Sequence, residues 1–184
     1  MQTLVLLGTC HKFQRPVDSQ YAGEIAQFRI LIRDMCLKHN LAAIAEEMSL
    51  YALKEENVTE SVAQQVCALL SLRHQLSDPS PEERRKLGIL QDNDIRAEHM
   101  FDEWTQEQIE ADVLARGRVP SDRIREQFWL TKIQKLDAWP LLFICGADHF
   151  NSFATLLRSS RINVVETYPD WEPAEKVVCG QSSS

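Results

Sequence analysis

Leu141-Leu142-Phe143-Ile144-Cys145-Gly146-Ala147-Asp148-His149 is an apolar run that stops at a glycine and then presents an acid and a histidine. Five consecutive apolar residues with no polar alternation predict a strand covered on both faces, as in a parallel sheet. A helix is expected from Ala147 to Ser159. The first residues repeat the pattern: Thr3-Leu4-Val5-Leu6-Leu7 is a second apolar run, and it ends in Gly8-Thr9-Cys10-His11. One Gly-x-x-His is weak. Two, each closing a buried strand, suggest that one sheet edge carries a site.

Between these ends the spacing predicts a helix over 20–40, with Ala22, Ile25, Ala26, Phe28, Ile32, Met35 and Cys36 recurring at helical spacing, Ser19 as N-cap and Asn40 as the stop. Leu41-Ala42-Ala43-Ile44-Ala45 is a second strand, closed by Glu46-Glu47. From Ser49 to Trp139 the pattern is helical: Thr59–Gln75, a short helix opened by Pro81 and Glu82-Glu83, a polar helix from Ile95 to Arg116, and one from Ser121 to Ala138. Gly117 and Pro120 read as the break between the last two. Ile162 to Thr167 is a final strand. The expected fold is therefore α/β: a small, mostly parallel sheet of about four strands, with a helical insertion over about 49–139. Residues 1–169 form a single α/β domain, and 170–184 form a wrapping loop and polar tail.

The sequence has 184 residues, 44% of them hydrophobic, enough to bury one core. A net charge of −7 argues against a nucleic-acid partner held by phosphate contacts. The basic cluster Arg84-Arg85-Lys86 sits beside Glu82-Glu83 and reads as a solvated helix face. Five widely spaced cysteines with no Cys-x-x-Cys fit a reduced interior rather than a disulfide framework or a cysteine zinc site. With no signal-like N-terminus and no long apolar stretch, a cytoplasmic protein without a membrane partner is expected. The oligomeric state is not readable.

In open parallel sheets a site lies beyond the carboxyl ends of the strands. His11, Glu46, Glu47, Asp148 and His149 all fall there. Two imidazoles and a carboxylate could bind a divalent metal, with Mn, Zn, Co and Fe all suited to such donors and His11, Glu46 and His149 as ligands, the choice between Glu46 and Glu47 being open from sequence. The same groups could work without metal, a carboxylate orienting a histidine that activates water. Both options stay open from sequence, as does Asp148 as helix cap or site acid. Glu46-Glu47 could equally be the charged start of a helix. Arg125, one turn before Trp129, could clamp an anion or a developing oxyanion, or form a surface ion pair. His74 and Asp78 read as the end of a helix that could reach the site. Cys10 and Cys145 read as small buried fillers, with Cys10, next to His11, the one thiol with a case for reactivity.

Taken together, Gly8-x-x-His11, Glu46, Arg125 and Gly146-x-x-His149 resemble the superfamily of TraB/Tiki metalloproteases, erythromycin esterases and ChaN-like haem-binding lipoproteins. Asp78-Pro79 and the Asp170-Trp171-Glu172-Pro173 ending are similar to small bacterial members. The resemblance covers Thr3 to about Val165 and implies an α/β core with two histidines, a glutamate and an arginine around one pocket. It implies a hydrolase of a small-molecule or peptide substrate, metal-dependent as in the Tiki branch or histidine-based as in the esterase branch. The alternative it implies is a non-catalytic module for a small ligand or haem.

Overall fold

The computed structural model describes residues 2–16, 19–90 and 92–174. The side chain of Ser19 and the tail from 175 on, including Cys179, lie outside the described residues. Five strands form one fully parallel sheet: β1 (Thr3–Thr9), β2 (Ala43–Glu46), β3 (Arg73–Leu76), β4 (Leu141–Gly146) and β5 (Asn163–Glu166), in the order β3-β2-β4-β1-β5. The α/β class expected from sequence is what the chain forms.

The helices are α1 (Ala22–His39), α2 (Leu50–Glu55), α3 (Val62–Leu70), α4 (Pro81–Lys86), α5 (Asp92–Glu98), α6 (Gln106–Asp112), α7 (Val119–Leu136) and α8 (Ala147–Ser159). Leu4, Leu6, Ala43, Ala45, Leu141, Phe143 and Cys145 pack against α7 and α8. Val5, Leu7, Ile44, Leu142 and Ile144 pack against α1 and α3. Both faces are thus covered, which is why β1 and β4 are apolar without alternation. Asn40 adopts φ 48° and ends α1, an αL stop that asparagine tolerates better than most residues.

Two expectations need correction. The first concerns β3, which occupies sequence read as the tail of a helix. Ser71 turns left-handed after α3, and Arg73-His74-Gln75-Leu76 pairs along β2. The segment is polar, lacks β-branched residues and sits at the sheet edge, so pairing with β2 rather than intrinsic propensity makes it a strand.

The second concerns the polar helix Ile95–Arg116. It is broken after α5, and its second part runs without interruption from α6 through a π-helical stretch, Val113–Arg118, into α7. Gly117 and Pro120 therefore do not separate two helices. A π turn spaces its hydrogen bonds more widely, which helps the helix accept a residue that lacks an N–H. Gly117 is needed for space, because an added Cβ would lie 2.8 Å from the Ile95 side chain.

The segment after β5 wraps back over the sheet. Gly8 N–H donates to the Tyr168 carbonyl (2.8 Å), Trp171 N–H donates to the Gly8 carbonyl (2.8 Å), and the Trp171 ring packs on Phe13 and Phe28. A Cβ on Gly8 would fall 1.8 Å from the Pro169 carbonyl oxygen. Gly8→Ala is therefore expected to lift this strap off β1 and destabilise the fold by about 1–3 kcal/mol or more, as overpacking does. Urea unfolding checks this, and an unchanged midpoint would show that the strap tolerates the displacement.

Candidate active site

Four strand ends converge. β1 runs out through Cys10 into a 3-10 turn, His11–Phe13. β2 ends at Glu46, followed by Glu47. β3 leads into Ser77 and Asp78. β4 ends at Gly146, which is also the first residue outside α8.

Glu47 is the hub. It is 3% exposed, and its Oε1 lies 2.5 Å from Arg125 Nη2, 3.5 Å from His11 Nε2 and 3.5 Å from His149 Nε2. Its Oε2 accepts the Gly146 N–H at 2.7 Å. Burial alone raises its carboxyl pKa. The bond from His11 and the charges of Arg125, His11 and His149 outweigh burial and hold it at about 2.

Glu46 does not join this group. Successive residues of a strand point to opposite faces. Glu46 therefore faces the α1/α3 side, where it accepts from Ser61 Oγ and contacts His74 Nε2 at 2.8 Å. This corrects the assignment of Glu46 to a site with His11 and His149, since Glu47 holds that place. His74, expected near the end of a helix, is a β3 residue serving this buried contact.

Arg125 reaches the hub from α7. Its Nε donates to Asp78 Oδ1 at 2.9 Å, its Nη1 contacts His149 Nε2 at 3.2 Å, and its guanidinium stacks over Trp129 at 5.2 Å. Burial lowers its pKa, but Glu47 and Asp78 reverse the direction and raise it. This is an interior ion pair and not a surface one. Asp78 also accepts from Trp129 Nε1 (3.1 Å) and from Arg84 Nη2 (2.5 Å).

His149 is buried in α8's first turn. Its Nδ1 meets Glu126 Oε1 at 3.2 Å, its ring packs edge-on to Trp129 at 4.8 Å, and Asp122 Oδ1 lies 3.6 Å from Nε2. Desolvation lowers its pKa, yet the bond to Glu126 and the charge of Glu47 give a net rise above 6.5.

Asp148 has no role in this network among the described residues. It is exposed on the cavity wall, and the N-cap position of α8 is Gly146, with no side-chain cap. Neither Gly8 nor Gly146 has a positive φ; among the described glycines Gly88 alone does. Their role is close approach: a Cβ on Gly146 would sit 3.1 Å from His11 Nε2 and 3.3 Å from Glu47 Oε2. Cys145 is the buried filler expected, its thiol pushed well up by burial, whereas Cys10 is exposed at the cavity wall.

The network forms the floor of a cavity of about 690 Å³. Arg84, Arg118, Asp92, Asp122, Asp148 and Asp170 line its walls, with Ile89 and Leu90 the large apolar contributions. Among the described residues no helix is long and apolar enough to cross a membrane.

The divalent metal expected from sequence finds no matching set of donors among the described residues. No group of three or more His, Cys, Asp or Glu side chains among the described residues is arranged to hold a metal ion. The reason is visible in the contacts. The Arg125 guanidinium already meets both Glu47 Oε1 and His149 Nε2, and it brings positive charge to the position where a cation would need their lone pairs. The residues do not fit a bound metal.

Sequence reasoning missed Glu126, Asp78 as an Arg125 partner, and Gln14. Glu126 carried a readable signal: it lies three and four residues before Trp129 and Leu130, on the stripe α7 buries. An acid on a core stripe needs a partner. Compared with known protein families, with curated proteins and with solved structures, the chain matches none.

Proposed function

We propose that this protein is a metal-independent hydrolase of a small-molecule or peptide substrate, with a histidine as base and Arg125 as the oxyanion partner. One observation carries this reading. Two histidines from different strand ends place their Nε2 atoms 3.5 Å from the same buried carboxylate oxygen, beside a guanidinium, at the floor of a cavity. Histidine supplies a base at neutral pH, and arginine stabilises developing negative charge.

In the proposed step, water loses a proton to a histidine Nε2 as its oxygen adds to the substrate carbonyl. The carbonyl π-electrons move to oxygen, and the resulting oxyanion is met by Arg125. Collapse expels the alcohol or amine, which leaves with the proton from the histidine. The order of motifs that resembles the erythromycin esterase branch fits this reading, with Glu47 in place of Glu46. The charged walls disfavour haem, which needs a largely apolar cleft.

The test is a panel of ester, amide and phosphate substrates with purified protein, before and after exhaustive chelation. Turnover is expected to survive chelation and to be lost in both His11→Ala and His149→Ala. Turnover abolished by chelator and restored by Zn or Mn would sink the metal-independent reading. Saturable ligand binding without turnover would favour the binding module.

A further inference from the structure

We infer that Glu126 and Gln14 are positioning residues that lock the two site histidines in opposite tautomers, so that His149 presents a lone pair to the cavity and His11 presents a proton. The assignment of catalytic roles rests on the hydrolase reading. The tautomers rest on geometry alone.

Around His149 two neighbours demand the same arrangement. Glu126 is 1% exposed, its Oε1 lies 3.2 Å from Nδ1, and as a carboxylate it can only accept. Ser152 Oγ also donates to that oxygen, and Arg123 Nη1 lies 3.3 Å from the other. Nδ1 must therefore carry the proton. On the other side Arg125 Nη1, which can only donate, lies 3.2 Å from Nε2. Glu47 Oε1 and Asp122 Oδ1 also face Nε2 but stand farther off, at 3.5 and 3.6 Å, so the nearer Arg125 decides and Nε2 carries the lone pair. A neutral ring satisfies both contacts in this one tautomer.

Around His11 the polarity is reversed. Its Nε2 faces Glu47 Oε1 at 3.5 Å and, unlike that of His149, meets no guanidinium among the described contacts, so the carboxylate calls for Nε2–H. Its Nδ1 lies 3.2 Å from the side-chain nitrogen of Gln14, which donates to it. The orientation drawn leaves the buried Gln14 Oε1 without a partner among the described residues; the opposite one would require Nδ1–H and, in a neutral ring, would set the Nε2 lone pair against the Glu47 carboxylate without the guanidinium that supplies a donor at His149. Gln14 is fully buried and anchored at both backbone ends: its N–H donates to the His11 carbonyl (3.1 Å) and its carbonyl accepts from Val62 N–H (2.9 Å). Its side chain thus meets His11 from a fixed position.

The consequence is a division of labour between two residues that look alike in sequence. His149, with its lone pair, takes the proton from water. As it does so, the Arg125 Nη1–H directed at Nε2 loses its acceptor and is freed for the oxyanion. His11, with Nε2–H, polarises the substrate oxygen and cannot act as base without first giving up that proton.

The experiment is two-bond ¹H–¹⁵N correlation NMR on histidine-labelled full-length protein at a pH where the rings are neutral, with His11→Gln and His149→Gln to assign the signals. His149 is expected to show the Nδ1–H pattern and His11 the Nε2–H pattern. Glu126→Gln is expected to weaken the His149 pattern and leave that of His11 unchanged. Gln14→Glu, which places an acceptor at Nδ1, is expected to move His11 to Nδ1–H or to the doubly protonated form and leave His149 unchanged. With a substrate in hand, Glu126→Gln is expected to lower kcat by about 10²-fold or more with a much smaller change in KM. The same tautomer on both rings, or patterns that ignore these substitutions, would overturn the inference whatever the activity. Opposite tautomers in a protein that turns over no substrate would uphold the tautomer assignment and leave the hydrolase reading to fall alone.

Discussion

Arg125→Met is expected to destabilise the protein by about 3–5 kcal/mol at pH 7, the usual result of removing one partner from a buried ion pair. For a chain of this length that corresponds to a drop in Tm of roughly 6–20 °C. The size follows from what is left behind. Glu47 is 3% exposed and the Asp78 side chain 8%, and both lose the guanidinium that compensates their desolvation.

The pH dependence has a definite sign. In the intact protein the Glu47 carboxyl is held at about 2 against an ordinary 4.5. That difference corresponds to about 3 kcal/mol of stability, fully present above pH 4.5 and lost as pH falls through 2. In the variant burial is opposed only by the histidines and the Gly146 N–H, so the carboxyl titrates higher. The gap between intact and variant protein should thus narrow in acid, as Glu47 of the variant takes up its proton, and widen as pH rises to neutrality. Adding Glu47→Gln to the variant removes the stranded charge and should restore part of the loss. Urea unfolding from pH 3 to 8 checks this. A variant within about 1 kcal/mol of the intact protein at pH 7 would mean that the ion pair does not hold the site together.

His149→Ala is expected to lower kcat/KM by about 10²–10⁴-fold, the range for loss of a general base. Because its pKa lies above 6.5, activity should rise with pH as the ring loses its proton, with the inflection above 6.5. Burial by itself would put the inflection lower. The bond to Glu126 and the Glu47 charge move it up, Arg125 opposes them, and Asp122 adds to the rise. Glu126→Gln should accordingly shift the inflection down. A flat profile from pH 5 to 8 would remove His149 from the base role.

These effects act on a site whose parts differ in how visible they were beforehand. His11, Arg125 and His149 were legible because a polar residue at a strand end, or on a turn with an aromatic anchor, stands out against an apolar run. Glu47 was half legible, since the Glu46-Glu47 pair was plain but its orientation was not. Asp148 misled because its neighbour His149 turns inward while Asp148 points outward from the same helical turn. Gln14 gave no signal: an amide in a polar loop looks the same whether it floats in solvent or lies buried on a histidine.

What the sequence determined by itself is the α/β class, the buried strands β1 and β4, and the sheet edge where histidines and carboxylates collect. Continuous apolar runs force burial on both faces, and parallel strands covered by helices satisfy that demand. Only the tertiary structure decided three further matters. It made Arg73–Leu76 a strand, because pairing with β2 supplied what its side chains lacked. It sent Glu46 to one face and Glu47 to the other, because alternation along a strand fixes direction only once the register is set. And it placed Arg125 between Glu47 and His149, filling with a guanidinium the position that the residue types alone left equally open to a metal.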